Sequence, residues 1–108
     1  MTPSNTPLRP QERYHPRVDA NWMVKVHLGE RTVLVKARDL SMAGLFLHGH
    51  PSDAIKQLTL TIPLPELADI TTTCNIVRRA AHGVALEFAD LDWDHLLLLA
   101  RYLHPRLP

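Results

Sequence analysis

One cysteine, four glycines and no apolar run longer than Leu96–Ala100 mark this 108-residue chain by what it lacks. Cys74 has no second thiol in the sequence to pair with, so no intramolecular disulfide forms, and a reducing cytoplasm is the expected setting. A membrane-spanning helix needs about 20 apolar residues, which the Leu96–Ala100 run does not approach. The opening Met1-Thr2-Pro3-Ser4-Asn5-Thr6-Pro7 has neither the basic nor the apolar region of a secretory signal. The sequence has no G-x-x-x-x-G-K-[ST] loop and no G-x-G-x-x-G turn, which removes the usual footholds for nucleoside triphosphate hydrolysis and dinucleotide chemistry. Seven histidines are present, yet His48-Gly49-His50 has no zinc-ligand spacing around it and no metal is expected. No nucleophile elbow surrounds Ser41, so no catalytic residues are assigned and the chain is not expected to be an enzyme.

Charge is nearly balanced at +1, but it is unevenly spread. Residues 1–38 carry seven Lys/Arg against three acids, and residues 39–108 carry five against eight. A modest early cluster of cations suits a small anion better than a long polyanion, which calls for a continuous basic and aromatic stripe; DNA is therefore not an expected partner. At this length one hydrophobic core forms, too small for a deep cleft walled by several layers.

Organisation along the chain follows hydrophobic periodicity. Pro3, Pro7 and Pro10 interrupt a polar opening with no apolar repeat, so residues 1–12 are expected to be a flexible arm and residues 13–108 the domain. Trp22, Val24, Val26 and Leu28 alternate with Met23, Lys25 and His27, the pattern of a half-buried strand, and Gly29-Glu30 supplies a turn. Val33, Val35 and Ala37 continue the pattern up to the segment Asp39–Gly44. Leu45–Leu47, Gln57–Leu64, Ile70–Arg79 and Val84–Phe88 bring the strand count to six. Asp90, Asp92 and Asp94 then cluster where a helix N-terminus favours negative charge, ahead of a helix over Leu96–Leu103. Six short strands and one closing helix predict a mainly β fold, an antiparallel barrel with the helix on an edge or open end. Four consecutive leucines, Leu96–Leu99, make that helix apolar on more than one stripe, which suits pairing of two copies as well as tucking against the barrel.

Two clusters carry chemistry. Arg13 and Arg17 place two guanidiniums four residues apart on a loop held extended by Pro16, with Cα atoms up to about 14 Å apart. Guanidinium is always charged and its donor fork matches phosphate oxygens and the O6/N7 edge of guanine alike. In Asp39-Leu40-Ser41-Met42-Ala43-Gly44, strand periodicity points the Asp39 carboxylate and Ser41 hydroxyl to one side, and Gly44 admits left-handed angles or a close approach of a flat ring. Tyr14, His15 and Trp22 are nearby aromatic rings, of which Trp22 reads as core because it opens the inward face of the first strand. Arg78-Arg79, at a strand end, reads as a solvated edge that discourages strand addition.

An RxxxR pair ahead of the first strand and a DxSxxG segment between the second and third strands together resemble the PilZ domain, and the similarity extends over most of the chain. That resemblance implies a six-stranded barrel that binds cyclic di-GMP. By position, Arg13 and Arg17 would clasp phosphates and guanine edges, Asp39 and Ser41 would bond around a guanine base, and Gly44 would leave room for it. Many ligand-binding members carry another arginine immediately before the first motif arginine; Glu12 stands there in this chain, which opposes a second stacked ligand molecule. The expected output is a switch in which ligand orders residues 9–17 onto the barrel and an effector protein reads the change. A PilZ-like interaction module with little nucleotide binding, and a nucleic-acid-binding barrel, are the alternatives.

Overall fold

A computed structural model describes residues 16–106 of the chain; Arg13, Tyr14, His15 and the arm over 1–12 lie outside the described residues. Strands β1 (Val18–Asp19), β2 (Met23–Leu28), β3 (Arg31–Leu40), β4 (Gly44–Leu47), β5 (Gln57–Pro63), β6 (Asp69–Ala80) and β7 (Gly83–Phe88) precede one helix, α1 (Trp93–Leu103). All pairings are antiparallel. They run β3-β2-β5-β6-β7-β4, and β4 returns to β3, so six strands close a barrel as the periodicity predicted. The addition is β1, a two-residue strand that lies beside β3 in line with β2.

Alternation explains the interior. Val24 and Val26, Leu45 and Leu47, Leu58, Leu60 and Ile62, and Val84 and Leu86 point inward and are buried. The outward side carries polar pairs such as Thr59–Thr73 and Thr61–Thr71, and the His27 ring lies 2.7 Å from the Thr61 hydroxyl. Gly29 takes φ 63 in the predicted turn between β2 and β3, an angle costly for side-chain-bearing residues.

Helix α1 starts three residues earlier than the leucine run suggests. Asp92 is its N-cap, its carboxylate accepting the His95 backbone N–H at 2.8 Å. Leu99, Tyr102 and Leu103 enter the core, which settles the helix against the barrel end where β2 begins. Trp22 meets it there: its indole N–H donates to the Tyr102 hydroxyl at 3.2 Å, and the two rings pack edge to face. Trp22 is thus packed against the core, as its position in the repeat indicated.

The opposite mouth is an apolar cavity of about 240 Å³, bordered by Leu28, Val33, Leu47, Ile55 and Leu58. The loop that arches over it is fixed by Arg79, whose guanidinium donates to the carbonyls of Pro51, Ser52 and Ile55 at 2.7, 3.1 and 2.7 Å. Arg79 is therefore a loop clamp, not the solvated edge charge its sequence position suggests.

Candidate functional site

The site is built on an irregularity in β3. Between the pairs Asp19–Asp39 and Met23–Lys36, three residues on one strand face two on the other, and Asn21 takes φ 55 to accommodate the extra one. On its other edge β3 is bulged as well: Ala37 pairs with Leu47 and Asp39 with Phe46, leaving Arg38 supernumerary. A regular strand would send Arg38 and Asp39 to opposite faces. The bulge instead brings the two side chains together, while Ala37 and Leu40 remain fully buried in the core.

Residues paired across a sheet share a face, so the register defines a row on the barrel exterior: Asp19, Asp39, Phe46, Ala85 and Arg78. Asp39 lies between Asp19 and Phe46 in it. Its Oδ1 accepts from Arg17 Nη1 at 2.7 Å and its Oδ2 accepts from Arg38 Nε at 2.8 Å, so one carboxylate holds two guanidiniums. The Asp39 side chain retains 9% exposure, against 31% for Arg17 and 46% for Arg38. This is a nearly buried anion whose two cations reach solvent. Arg38 also lies over the Phe46 ring, 3.9 Å from its centre, and the His48 ring meets Phe46 edge-on.

Arg17 and Asp39, twenty-two residues apart, are thus brought into contact as the motif pair implied. Arg17 is seated on the barrel by Asp39. Ser41 is fully buried two residues on, and its hydroxyl shapes the turn into β4: Oγ accepts the backbone N–H groups of Ala43 and Gly44 at 3.1 and 3.3 Å. Gly44 answers to its neighbour strand. A Cβ there would stand 1.8 Å from the Leu86 carbonyl oxygen in β7, so the close approach that requires glycine is by backbone, and the left-handed conformation is not used.

Sequence reasoning missed Arg38 and Phe46. Arg38 adjoins a motif residue and alternation already turns it outward, but alternation sends Asp39 inward, so the two are not expected side by side; Phe46 lies in an all-apolar strand and reads as core, although it faces outward and is covered to 1% exposure. The bulge turns Asp39 out beside them, and nothing in the residue pattern announces a bulge there. Among the described residues no three His, Cys, Asp or Glu side chains gather as a metal site, and no helix is long and apolar enough to cross a membrane.

The arrangement can grip an anion and a planar base: exposed guanidinium forks, a carboxylate to accept donors, and an aromatic ring beneath. The fold is similar to that of the Bacillus subtilis inhibitor of motility (MotI/DgrA), with a TM-score of 0.72 at 22% identity, over 92% of this chain and 52% of that one. The chain therefore spans about half the length of that protein. Among curated proteins none matches. The profile of the PilZ domain matches residues 11–104, almost the whole of the barrel, its lead-in and its helix, and the chain belongs to the PilZ domain family.

Proposed function

We propose that this domain is a non-catalytic receptor for cyclic di-GMP that works in the cytoplasm and signals to an effector protein. The observation that carries this reading is the contact of Arg17 with Asp39, which joins the two halves of the motif pair on one outer face. Cyclic di-GMP has two phosphates and two guanines. Guanidinium forks suit the phosphates and the O6/N7 edge, and the Asp39 carboxylate accepts from the guanine N1–H and amino group. Ser41 and Gly44 serve the ligand indirectly, by holding the turn that sets the height of Asp39 above β4.

Binding then draws Arg13 towards the anchored Arg17, which already marks where the lead segment meets the barrel. Fixing each backbone residue costs about 1–2 kcal/mol, so the new contacts must exceed the cost of the segment they order. The effector reads that docked segment together with the row around Asp39.

The interaction-module alternative has its own support. Ser41 and Gly44 are needed by the turn and by β7 whether or not a nucleotide binds, so their presence is compatible with a barrel that docks proteins alone. Calorimetric titration with cyclic di-GMP beside GTP and cyclic GMP separates the two. The receptor reading predicts saturable binding of cyclic di-GMP in preference to both, weakened about 10- to 100-fold by Arg13→Ala or Arg17→Ala. Absence of heat with cyclic di-GMP on folded protein transfers the assignment to the interaction module.

A further inference from the structure

Arg38 is a charged side chain with an elaborate setting and no role in the fold's core. The β3 bulge turns Asp39 outward beside it, and the Phe46 ring supports its guanidinium from below at 3.9 Å. Among the described residues only its Nε is engaged, by Asp39, and its two terminal nitrogens make no hydrogen bond. A guanidinium pinned at Nε and resting on a ring has little rotamer freedom left to lose, while its terminal N–H groups still face solvent with the side chain 46% exposed. Arg17 is pinned to the other oxygen of the same carboxylate. The two forks therefore flank Asp39 at a fixed spacing before any ligand arrives.

We propose that Arg38, on its Phe46 support, is a third ligand-binding guanidinium of this site, which together with Arg17 straddles a phosphodiester of the bound cyclic nucleotide. This rests on the reading of the site as one for cyclic di-GMP. The Asp39 carboxylate keeps the two cations from repelling one another in the free protein and stays available to a base edge through its remaining lone pairs. Phe46 contributes a flat apolar floor: its partner in the row is Ala85, too small to cover the ring, and at Gly83 a Cβ would stand 2.9 Å from the Phe46 ring. The ring is thus bordered by Ala85, Gly83 and the His48 ring and roofed by the Arg38 guanidinium. A purine that reaches this place stacks on the guanidinium plane that Phe46 supports.

Affinity for cyclic di-GMP, measured by calorimetry for wild type, Arg38→Ala, Arg38→Lys and Arg17→Ala across a range of salt concentrations, tests this. Arg38→Ala is expected to weaken binding about 10- to 100-fold, as Arg17→Ala does, and to make affinity fall less steeply with salt because one phosphate contact is gone. Arg38→Lys keeps the charge without the fork, so it restores the wild-type salt dependence but only part of the affinity. If Arg38 merely steadies Asp39, Arg38→Ala lowers the unfolding midpoint and leaves the salt dependence of binding unchanged, and the proposal fails. Wild-type affinity in Arg38→Ala beside a weakened Arg17→Ala overturns the role of Arg38 and leaves the receptor reading intact; a wild-type protein that ignores cyclic di-GMP overturns both.

Discussion

Removing Arg17 should destabilise the ligand-free domain, because its partner is an anion the fold has nearly enclosed. Asp39 retains 9% side-chain exposure and receives one charge-assisted bond at 2.7 Å from Arg17 and another at 2.8 Å from Arg38. A hydrogen bond to a charged group contributes about 1.5–3 kcal/mol, and the 31% exposure of Arg17 places its contribution at the lower end. Arg17→Ala therefore costs about 1.5 kcal/mol, since Arg38 remains to hold the carboxylate. Asp39→Ala releases both cations and removes the buried anion as well, so the double variant should cost about 1 kcal/mol less than the two single costs combined. Urea unfolding of wild type, both single variants and the double variant, followed by circular dichroism without ligand, measures that coupling. For a domain of this size about 1 kcal/mol is a shift of roughly 4–8 °C in midpoint on heating, so the effect is readable both ways. Additive costs, within about 0.3 kcal/mol, would mean that the contact carries no stability and that Arg17 is not anchored in the free protein.

Gly44→Ala should cost more than about 4 kcal/mol and leave little folded protein by circular dichroism, since its Cβ would stand 1.8 Å from the Leu86 carbonyl oxygen, a backbone atom that cannot step aside. Arg79→Ala removes three bonds to loop carbonyls and should raise amide hydrogen exchange across 51–56 while exchange in β2 stays unchanged. The Cys74 thiol, pushed up from 9.0 to about 12 by burial, should resist alkylation at pH 8 until the protein unfolds. Because its folded value is raised, the unfolded chain loses the proton first; the thiol's contribution to stability is complete below pH 9 and is lost as pH rises towards 12, which Cys74→Ala should abolish in a pH series of unfolding midpoints. Trp93 and Leu97, one turn apart on α1 and 71% and 47% exposed, are the surface a helix-mediated dimer would use; if copies pair there, Trp93→Ser with Leu97→Ser should convert a sedimenting dimer to monomer, and an unchanged mass rules that pairing out.

Most of the barrel was legible because burial and alternation report the same thing: Val24, Val26, Leu58, Leu60 and Ile62 each face inward where period two places them. The helix start was hidden because the leucine run begins only at Leu96; the cap at Asp92 sets it instead. At the site, the sequence pointed to Arg17 and Asp39, which meet. Ser41 was read as a partner for a base and Gly44 as room for it; the fold also uses Ser41 in the turn and needs glycine at 44 beside the Leu86 carbonyl. Phe46 and Arg79 were read by their place in a strand and Arg38 was not singled out, and each takes its role for a tertiary reason: an outward ring in an apolar strand, loop carbonyls converging on one guanidinium, and two bulges meeting at residue 38 that bring Asp39 beside it. Local patterns record which face a residue prefers on an ideal strand, and bulges change the face after that preference is set.

Backbone amide shifts of labelled protein, recorded as cyclic di-GMP is added, address the central claim at the level of single residues. The largest changes should fall on Arg17, Arg38, Asp39 and Phe46, with the apolar mouth around Leu28, Val33 and Ile55 left still. Changes centred on that mouth or on α1, with the Arg17–Asp39 face silent, would contradict the account.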